Sequence, residues 1–201
     1  AHSTGPLSSD ASGFLGDGRS EGQPWGLMVF DLEAPSVALI LQGRSWCNMH
    51  PQYCRSAKAR ELRDILVQDN HGNTCDAAGE CIHLTGGNGA DIHVVRDDGT
   101  DFRNLPWGRD GNEFCQGHQC WRGAAAWAIT STSTRNPAQQ QLIESRAVAH
   151  ADHVGISSAG GKRNHLSRDF PTPCFSHFAT DAAGRRLVTD TALADQGGRV
   201  L

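Results

Sequence analysis

The run GRDGNEFCQGHQCWRG, residues 108–123, decides how this chain is read. Gly108, Gly111, Gly117 and Gly123 punctuate it, and glycine enters turns that other side chains resist. Between the last two glycines, His118-Gln119-Cys120-Trp121 is too short and too tightly bracketed for a helix. A strand fits. Its two-residue period sends His118 and Cys120 to one face and Gln119 and Trp121 to the other. A histidine that opens a strand directly after a glycine is delivered to the rim of a sheet, where metals and anions are met. For a single histidine, a packed and hydrogen-bonded role is the simpler explanation. The same layout recurs twice more in this chain, and the recurrence favours function.

Working outward, residues 25–42 read as strand, turn, strand: GLMVFDL, EAPS, VALILQ. Residues 90–106 repeat the form with ADIHVV, the turn Arg96-Asp97-Asp98-Gly99 and TDFRNLP. Residues 153–169 repeat it more loosely, around the turn Ser158-Ala159-Gly160-Gly161. A histidine-bearing segment follows each of the first two hairpins and the third as well: His50 in NMHPQYC, His118 in GHQCW and His177 in FSHFATD. Short strands set off by Gly, Asp and Asn turns predict an all-β fold, and the repetition predicts a β-propeller of four-stranded antiparallel blades. Brief helices are expected only at residues 57–66 and 137–145. The histidine segments are spaced more widely than the roughly 40 to 45 residues of a blade, so insertions are expected, residues 69–89 among them.

The blades are expected at residues 1–45, 46–107, 108–170 and 171–201, in a single domain. The hairpins would form their outer strands and the histidine segments their innermost ones. The last blade would be incomplete, with strands near residues 175–180 and 185–189 and at 198–201. That makes about three and a half blades, where complete propellers have roughly 4 to 8. A ring that stops short leaves unpaired edges, so self-association through blade edges is expected.

The net charge of -4 and a pI near 6.2 supply no basic excess for nucleic acid or an anionic membrane. No apolar run approaches the roughly 20 residues of a membrane helix, and no signal peptide is visible. The chain opens on Ala1 rather than methionine, so residues ahead of it are expected. Lysine occurs only at Lys58 and Lys162, and the remaining cations are arginines, whose fork suits carboxylates and so suggests acidic small ligands. The 7 cysteines (47, 54, 75, 81, 115, 120 and 174) are odd in number and contain no C-x-x-C pair. They are expected as free, mostly buried thiols in a reducing cytoplasm, neither a secreted disulfide framework nor a zinc ribbon.

HPQY at residues 50–53, DILVQDNHGN at 64–73, DIHVVRDDGTDFRNLP at 91–106 and GHQCW at 117–121 together resemble the oligogalacturonate lyase family. FATDAAGRRLVTD at 178–190 is similar to the blade opening of many TolB-like proteins, a less specific likeness. The resemblance spans residues 46–190 and is strongest at 46–71 and 90–122. It implies a propeller, seven-bladed in the family, and a cytoplasmic enzyme that splits short oligogalacturonides by β-elimination. The family's manganese ion is held by histidines and a glutamine, with a catalytic histidine and an arginine nearby. His71 stands at the place of the catalytic histidine and His118 at that of the first metal histidine; Arg44 corresponds loosely to the arginine. The next blade opening, FPTPCFSHFATD, offers His177, with Cys174 three residues before it, and lacks the family's glutamine and paired histidine.

The chemistry is coherent with those residue types. Removing the weakly acidic C5 proton of a uronate leaves charge that a cation can stabilise. An imidazole suits the base, and an arginine suits the remaining carboxylates. His118 and His177 are therefore expected to hold a divalent ion of the Mn²⁺ type, with His71 as base and Arg44 as the catalytic arginine. Competing readings stand beside these. His71 also reads as a surface turn residue, His50 before Pro51 as a structural cap, and His150 and His153 as a loop entering a strand. His83 and His93 alternate with apolar residues and are expected to face solvent, Cys174 is expected to pack, and Trp46, Trp107 and Trp121 to fill the space between blades. The functional alternative is a non-catalytic TolB-like propeller that binds a ligand or a protein partner.

Overall fold

The computed structural model describes residues 6–7, 25–43, 45–59, 61–76, 78, 80–84, 88–105, 107, 114–133, 141–146, 163–166 and 177–190. In chain order the strands are β1 (Pro6–Leu7), β2 (Trp25–Asp31), β3 (Ser36–Gly43), β4 (Gln52–Tyr53) and β5 (Asp64–Asn70). They continue with β6 (Thr74–Cys75), β7 (Cys81–His83), β8 (Ala90–Arg96), β9 (Arg103–Asn104) and β10 (Phe114–Trp121). The last are β11 (Trp127–Ser133), β12 (Gln141–Arg146), β13 (Arg163–His165), β14 (Phe178–Thr180) and β15 (Leu187–Thr189). The fold is all-β. Among the described residues, helix is confined to one 3-10 turn, Glu61–Arg63.

Two four-stranded antiparallel sheets, β4-β5-β8-β9 and β10-β11-β12-β13, form the middle of the described chain. The hairpin β2–β3, joined by β1, makes a three-stranded sheet before them, and the hairpin β14–β15 follows. Within the 69–89 insertion, β6 and β7 form a small hairpin of their own. In the two four-stranded sheets the strands follow one another in sequence order, β6 and β7 being set aside, whereas in the first sheet β3 lies between β1 and β2.

Neither expected helix is an α-helix among the described residues. Residues 57–66 make the single 3-10 turn and enter β5 at Asp64. The run Ile65-Leu66-Val67 lacks polar alternation because both faces of β5 are buried, a pattern that periodicity cannot separate from helix. Of residues 137–145, the described ones, 141–145, lie in β12, which pairs with β11 along Trp127↔Arg146 to Thr132↔Gln141. Cross-strand pairing there overrides the helical preference of the Gln-rich sequence.

The sheets stack face to face through three apolar layers. Leu27, Ile40 and Leu41 of the first sheet meet Ile65, Val67 and Val95, with Trp46 and Met49 packed alongside. Leu66, Ile92 and Val94 turn the other way, against Trp107, Cys115, Trp121 and Ala128. Cys120 and Ile129 then face Phe178. Ile65 and Val67 pointing one way and Leu66 the other is the strand period made visible. Each such side chain contributes about 1.5–3 kcal/mol by leaving water. Trp46, Trp107 and Trp121 lie within these layers between sheets.

At one edge, a buried ion network ties β5, β8 and β9 together. Arg103 Nη2 donates to Asp64 Oδ2 at 2.5 Å, and Arg103 Nη1 and Arg96 Nη2 reach Asp101 Oδ2 at 3.3 and 3.1 Å. His93, expected to face solvent, is buried instead. It stacks on Phe102 with centroids 4.9 Å apart, meets Trp46 edge-on and pairs with Asn104 at 2.7 Å. With Asn104 as polar partner and aromatic rings on its faces, the imidazole is accommodated without solvent, so apolar alternation around it did not imply exposure.

Candidate functional site

β10 is irregular where it matters most. Its register against β11 shifts between Cys115 and Gly117 and again between Gly117 and Cys120. Gly117 has φ +83° and His118 φ +52°, so two consecutive residues adopt left-handed backbone inside a strand. This bulge turns the His118 side chain away from the direction regular alternation would give it. The distortion is held from β5. Gln68, buried, accepts the His118 N–H through Oε1 at 2.9 Å and donates through Nε2 to Asn70 Oδ1 at 2.9 Å.

β10 also fixes the loop that carries His50. Gln119 Nε2 donates to the His50 carbonyl at 3.1 Å. Gln52 Nε2 donates to the Gln119 carbonyl at 2.9 Å, and Trp121 Nε1 donates to the Gln52 carbonyl at 2.8 Å. The Gln68 N–H bonds to the Met49 carbonyl at 2.9 Å. Within this clamp His50 also takes left-handed backbone, φ +45°. Histidine visits this region more readily than bulky residues, yet each instance costs free energy that the surroundings must offset.

The outcome is a row of three imidazoles. His118 lies between His50, at a centroid distance of 5.4 Å and an interplanar angle of 13°, and His177, at 4.3 Å and 35°. His177, just ahead of β14, is oriented by Asp190, which accepts its backbone N–H at 2.6 Å and pairs with its Nδ1 at 2.9 Å. An ionised carboxylate accepts only, so Nδ1 carries the proton and Nε2 is turned away from Asp190. Those same contacts hold the Asp190 carboxyl below its usual range. Burial, with the neighbouring His177 second, pushes the His50 imidazole below 6.5 and favours its neutral, metal-competent form.

His118 and His177, the two expected metal ligands, are thus neighbours, and His50, read from the sequence as structural, joins them. The donor set suits a divalent ion: three imidazoles, with the buried Gln119 beside them, whose Oε1 has no hydrogen-bond partner among the described residues. The ring orientation does not yet suit one. Lone pairs lie in the ring plane, so the nearly parallel rings of His50 and His118 cannot both address one ion until a ring turns. Among the described residues, the three-donor group whose ligand atoms all lie within 4.8 Å of one another is a different one: Cys47, Cys75 and Cys81.

His71 is elsewhere. It sits in the turn after β5, near Gly89 and the start of β10, with Nδ1 3.2 Å from the Asn88 carbonyl and Nε2 3.4 Å from Asp91 Oδ1. Three residues of extended chain, roughly 10 Å, separate it from Gln68. Both ring nitrogens face oxygens, on a side chain that is 43% exposed. Nearby, Ser45 Oγ donates to Asp69 at 3.1 Å, and burial raises the Asp69 carboxyl. Arg44, His150, His153 and Cys174 lie outside the described residues. No described helix is long and apolar enough to cross a membrane.

Neither family models nor curated proteins return a match to this chain. Among solved structures, it is similar in fold to "Oligogalacturonate lyase in complex with manganese", with a TM-score of 0.54 and 17% sequence identity. The match covers 83% of this chain and 36% of that one, so the chain spans about a third of its neighbour's length. At such identity the likeness concerns the fold. Glutamine as a scaffold escaped the sequence reading altogether: Gln68 and Gln119 look like ordinary strand residues until their partners are known.

Proposed function

We propose that this chain is part of a propeller-type lyase that cleaves short oligogalacturonides by metal-assisted β-elimination in the cytoplasm. On this reading its sheets are successive blades, within the boundaries 1–45, 46–107, 108–170 and 171–201. The observation that carries it is the row His50, His118, His177, assembled from three separate chain segments with two of its members in left-handed backbone. Strain of that kind persists where the surroundings over-determine it, as at ligand sites. His118 and His177 would hold the divalent cation, Mn²⁺ being the metal of the structural neighbour. Once bound, the cation would neutralise the uronate carboxylate and stabilise charge left by deprotonation at C5.

His71 is the base in this scheme, and Asp91 its partner. To take a proton it must first release the Asn88 carbonyl or Asp91, after which Asp91 would stabilise the imidazolium. Arg44 would anchor a substrate carboxylate.

Digalacturonate with Mn²⁺ is expected to yield an unsaturated, ultraviolet-absorbing product, and chelation to abolish it. His118→Ala should lose both metal and turnover. His71→Ala should lose roughly 10²–10⁴-fold in turnover with metal retained, as removal of a general base does. Metal binding unchanged in His118→Ala would refute the ligand assignment. A second reading, a propeller that binds acidic saccharide without chemistry, is favoured by the engagement of both His71 nitrogens. Digalacturonate binding without product, from folded and metal-loaded protein, would establish that one instead.

A further inference from the structure

Away from the histidine row, three thiols from two distant parts of the chain come together. Cys47 lies in the loop between β3 and β4; Cys75 and Cys81 are directly paired across the β6–β7 hairpin. Their sulfurs all lie within 4.8 Å of one another, and Cys75 Sγ is 3.4 Å from Cys81 Sγ. All three are free. A Zn–S bond of about 2.3 Å places tetrahedrally arranged sulfurs roughly 3.8 Å apart, so the trio needs only sub-ångström adjustment to surround an ion.

From this geometry we propose that Cys47, Cys75 and Cys81 form a three-thiolate site for a thiophilic d¹⁰ cation of the Zn²⁺ class. A disulfide between Cys75 and Cys81 would account for two of these sulfurs. It would leave unexplained why the 45–50 loop delivers a third, and a three-sulfur set is what soft cations select. Exposure grades across the site: Cys75 is buried, Cys47 half-buried and Cys81 exposed. The ion therefore has an entry path on the Cys81 side and a fourth position open to water or a ligand.

The electrostatics make metal binding at this site a competition with protons. Burial, and then the two neighbouring sulfurs, push the Cys75 thiol up to about 12. Burial raises Cys47 as well. Without metal the buried Cys75 thiol stays protonated at neutral pH. Binding exchanges three S–H protons for one divalent ion, giving three M–S bonds and three released protons with no change of oxidation state. The ion would also tie the 69–89 insertion to the loop that leads to His50.

The test uses the full chain, reduced and stripped of metal, titrated with Cd²⁺, whose thiolate charge-transfer absorption is absent from imidazole complexes. One equivalent should saturate the band. Cys81→Ala, at an exposed position, should weaken binding at least about tenfold, since removing even an outer-shell partner of a metal ligand costs about 10–100-fold. Cys47→Ala should do the same. Cys54→Ala and His118→Ala should leave the band intact, which separates this site from the histidine row. Affinity should fall as pH is lowered from about 8 to about 6, because protons compete for the thiolates. A folded, reduced protein without the band, an affinity unchanged in Cys81→Ala, or a pH-independent affinity would each overturn the proposal.

Discussion

Replacing Gly117 by alanine tests how His118 is held. Gly117 has φ +83°, where an L residue costs about 1–2 kcal/mol. A Cβ there would also come within 2.6 Å of Gln68 Oε1 and 3.1 Å of Gln68 Cδ. The amide would have to move, and with it the acceptor of the His118 N–H and the donor to Asn70. Gln68 is only 1% exposed, so water does not readily replace what is lost. An unsatisfied buried group costs about 1–3 kcal/mol. Together these predict a loss of roughly 2–5 kcal/mol, out of the 5–15 typical of a domain. Urea denaturation measures the loss, and a cycle with Gln68→Ala separates its parts. Once Gln68 is truncated, Gly117→Ala should cost only the backbone share, leaving a coupling of about 1–3 kcal/mol. A cost below about 1 kcal/mol, or strict additivity with Gln68→Ala, would show that Gln68 does not support this bulge.

Two further predictions concern charge. Arg103→Leu leaves the buried Asp64 carboxylate only the longer Arg96 contact at 3.9 Å and should cost up to about 3–5 kcal/mol at neutral pH. Burial already raises the Asp64 carboxyl, and its raised folded-state value favours the fold at acid pH, so the cost should shrink as pH falls toward about 4; a cost flat in pH in urea melts would refute this. For His50 the sign is opposite. Its folded-state value lies below 6.5, so its contribution to stability is complete above that and lost as pH falls toward the folded value. His50→Asn should flatten the drop in urea midpoint between about pH 7.5 and about pH 5.5, and an unchanged drop would assign the titration elsewhere.

The hairpins were legible because their turns and alternation are local. Residues 25–42 and 90–106 name their own strands and the glycine or proline between them, and the β14–β15 pair follows from DAAGRR alone. β12 was not legible, since its identity is fixed by pairing partners on either side rather than by its own sequence. The proximity of His118 and His177 followed from repetition: equivalent places in consecutive repeats are brought side by side by stacking. His50 occupies the same place in its repeat, but Pro51 supplied an adequate local explanation and hid it. Nothing in GHQ announces left-handed backbone at a histidine. The cysteine trio was invisible for a related reason, because one member comes from a loop and two from an insertion.

The way the histidine row is built bears on what it can do. Apolar packing positions the sheets, but side-chain amides position the histidines: Gln68 grips the His118 N–H and Gln119 the His50 carbonyl. Both grips act on backbone, so they fix where each histidine starts and leave its ring to turn. Turning a ring off its preferred torsion costs about 0.5–1.5 kcal/mol, whereas abandoning these buried backbone contacts would cost about 1–3 kcal/mol for each group left unsatisfied. Movement from stacked to convergent imidazoles is therefore the cheapest rearrangement open to the site. Neutral rings are required for it, and burial already biases His50 that way. A scaffold that spends two left-handed residues on backbone placement while leaving the rings adjustable is better suited to gathering a ligand than to filling a core.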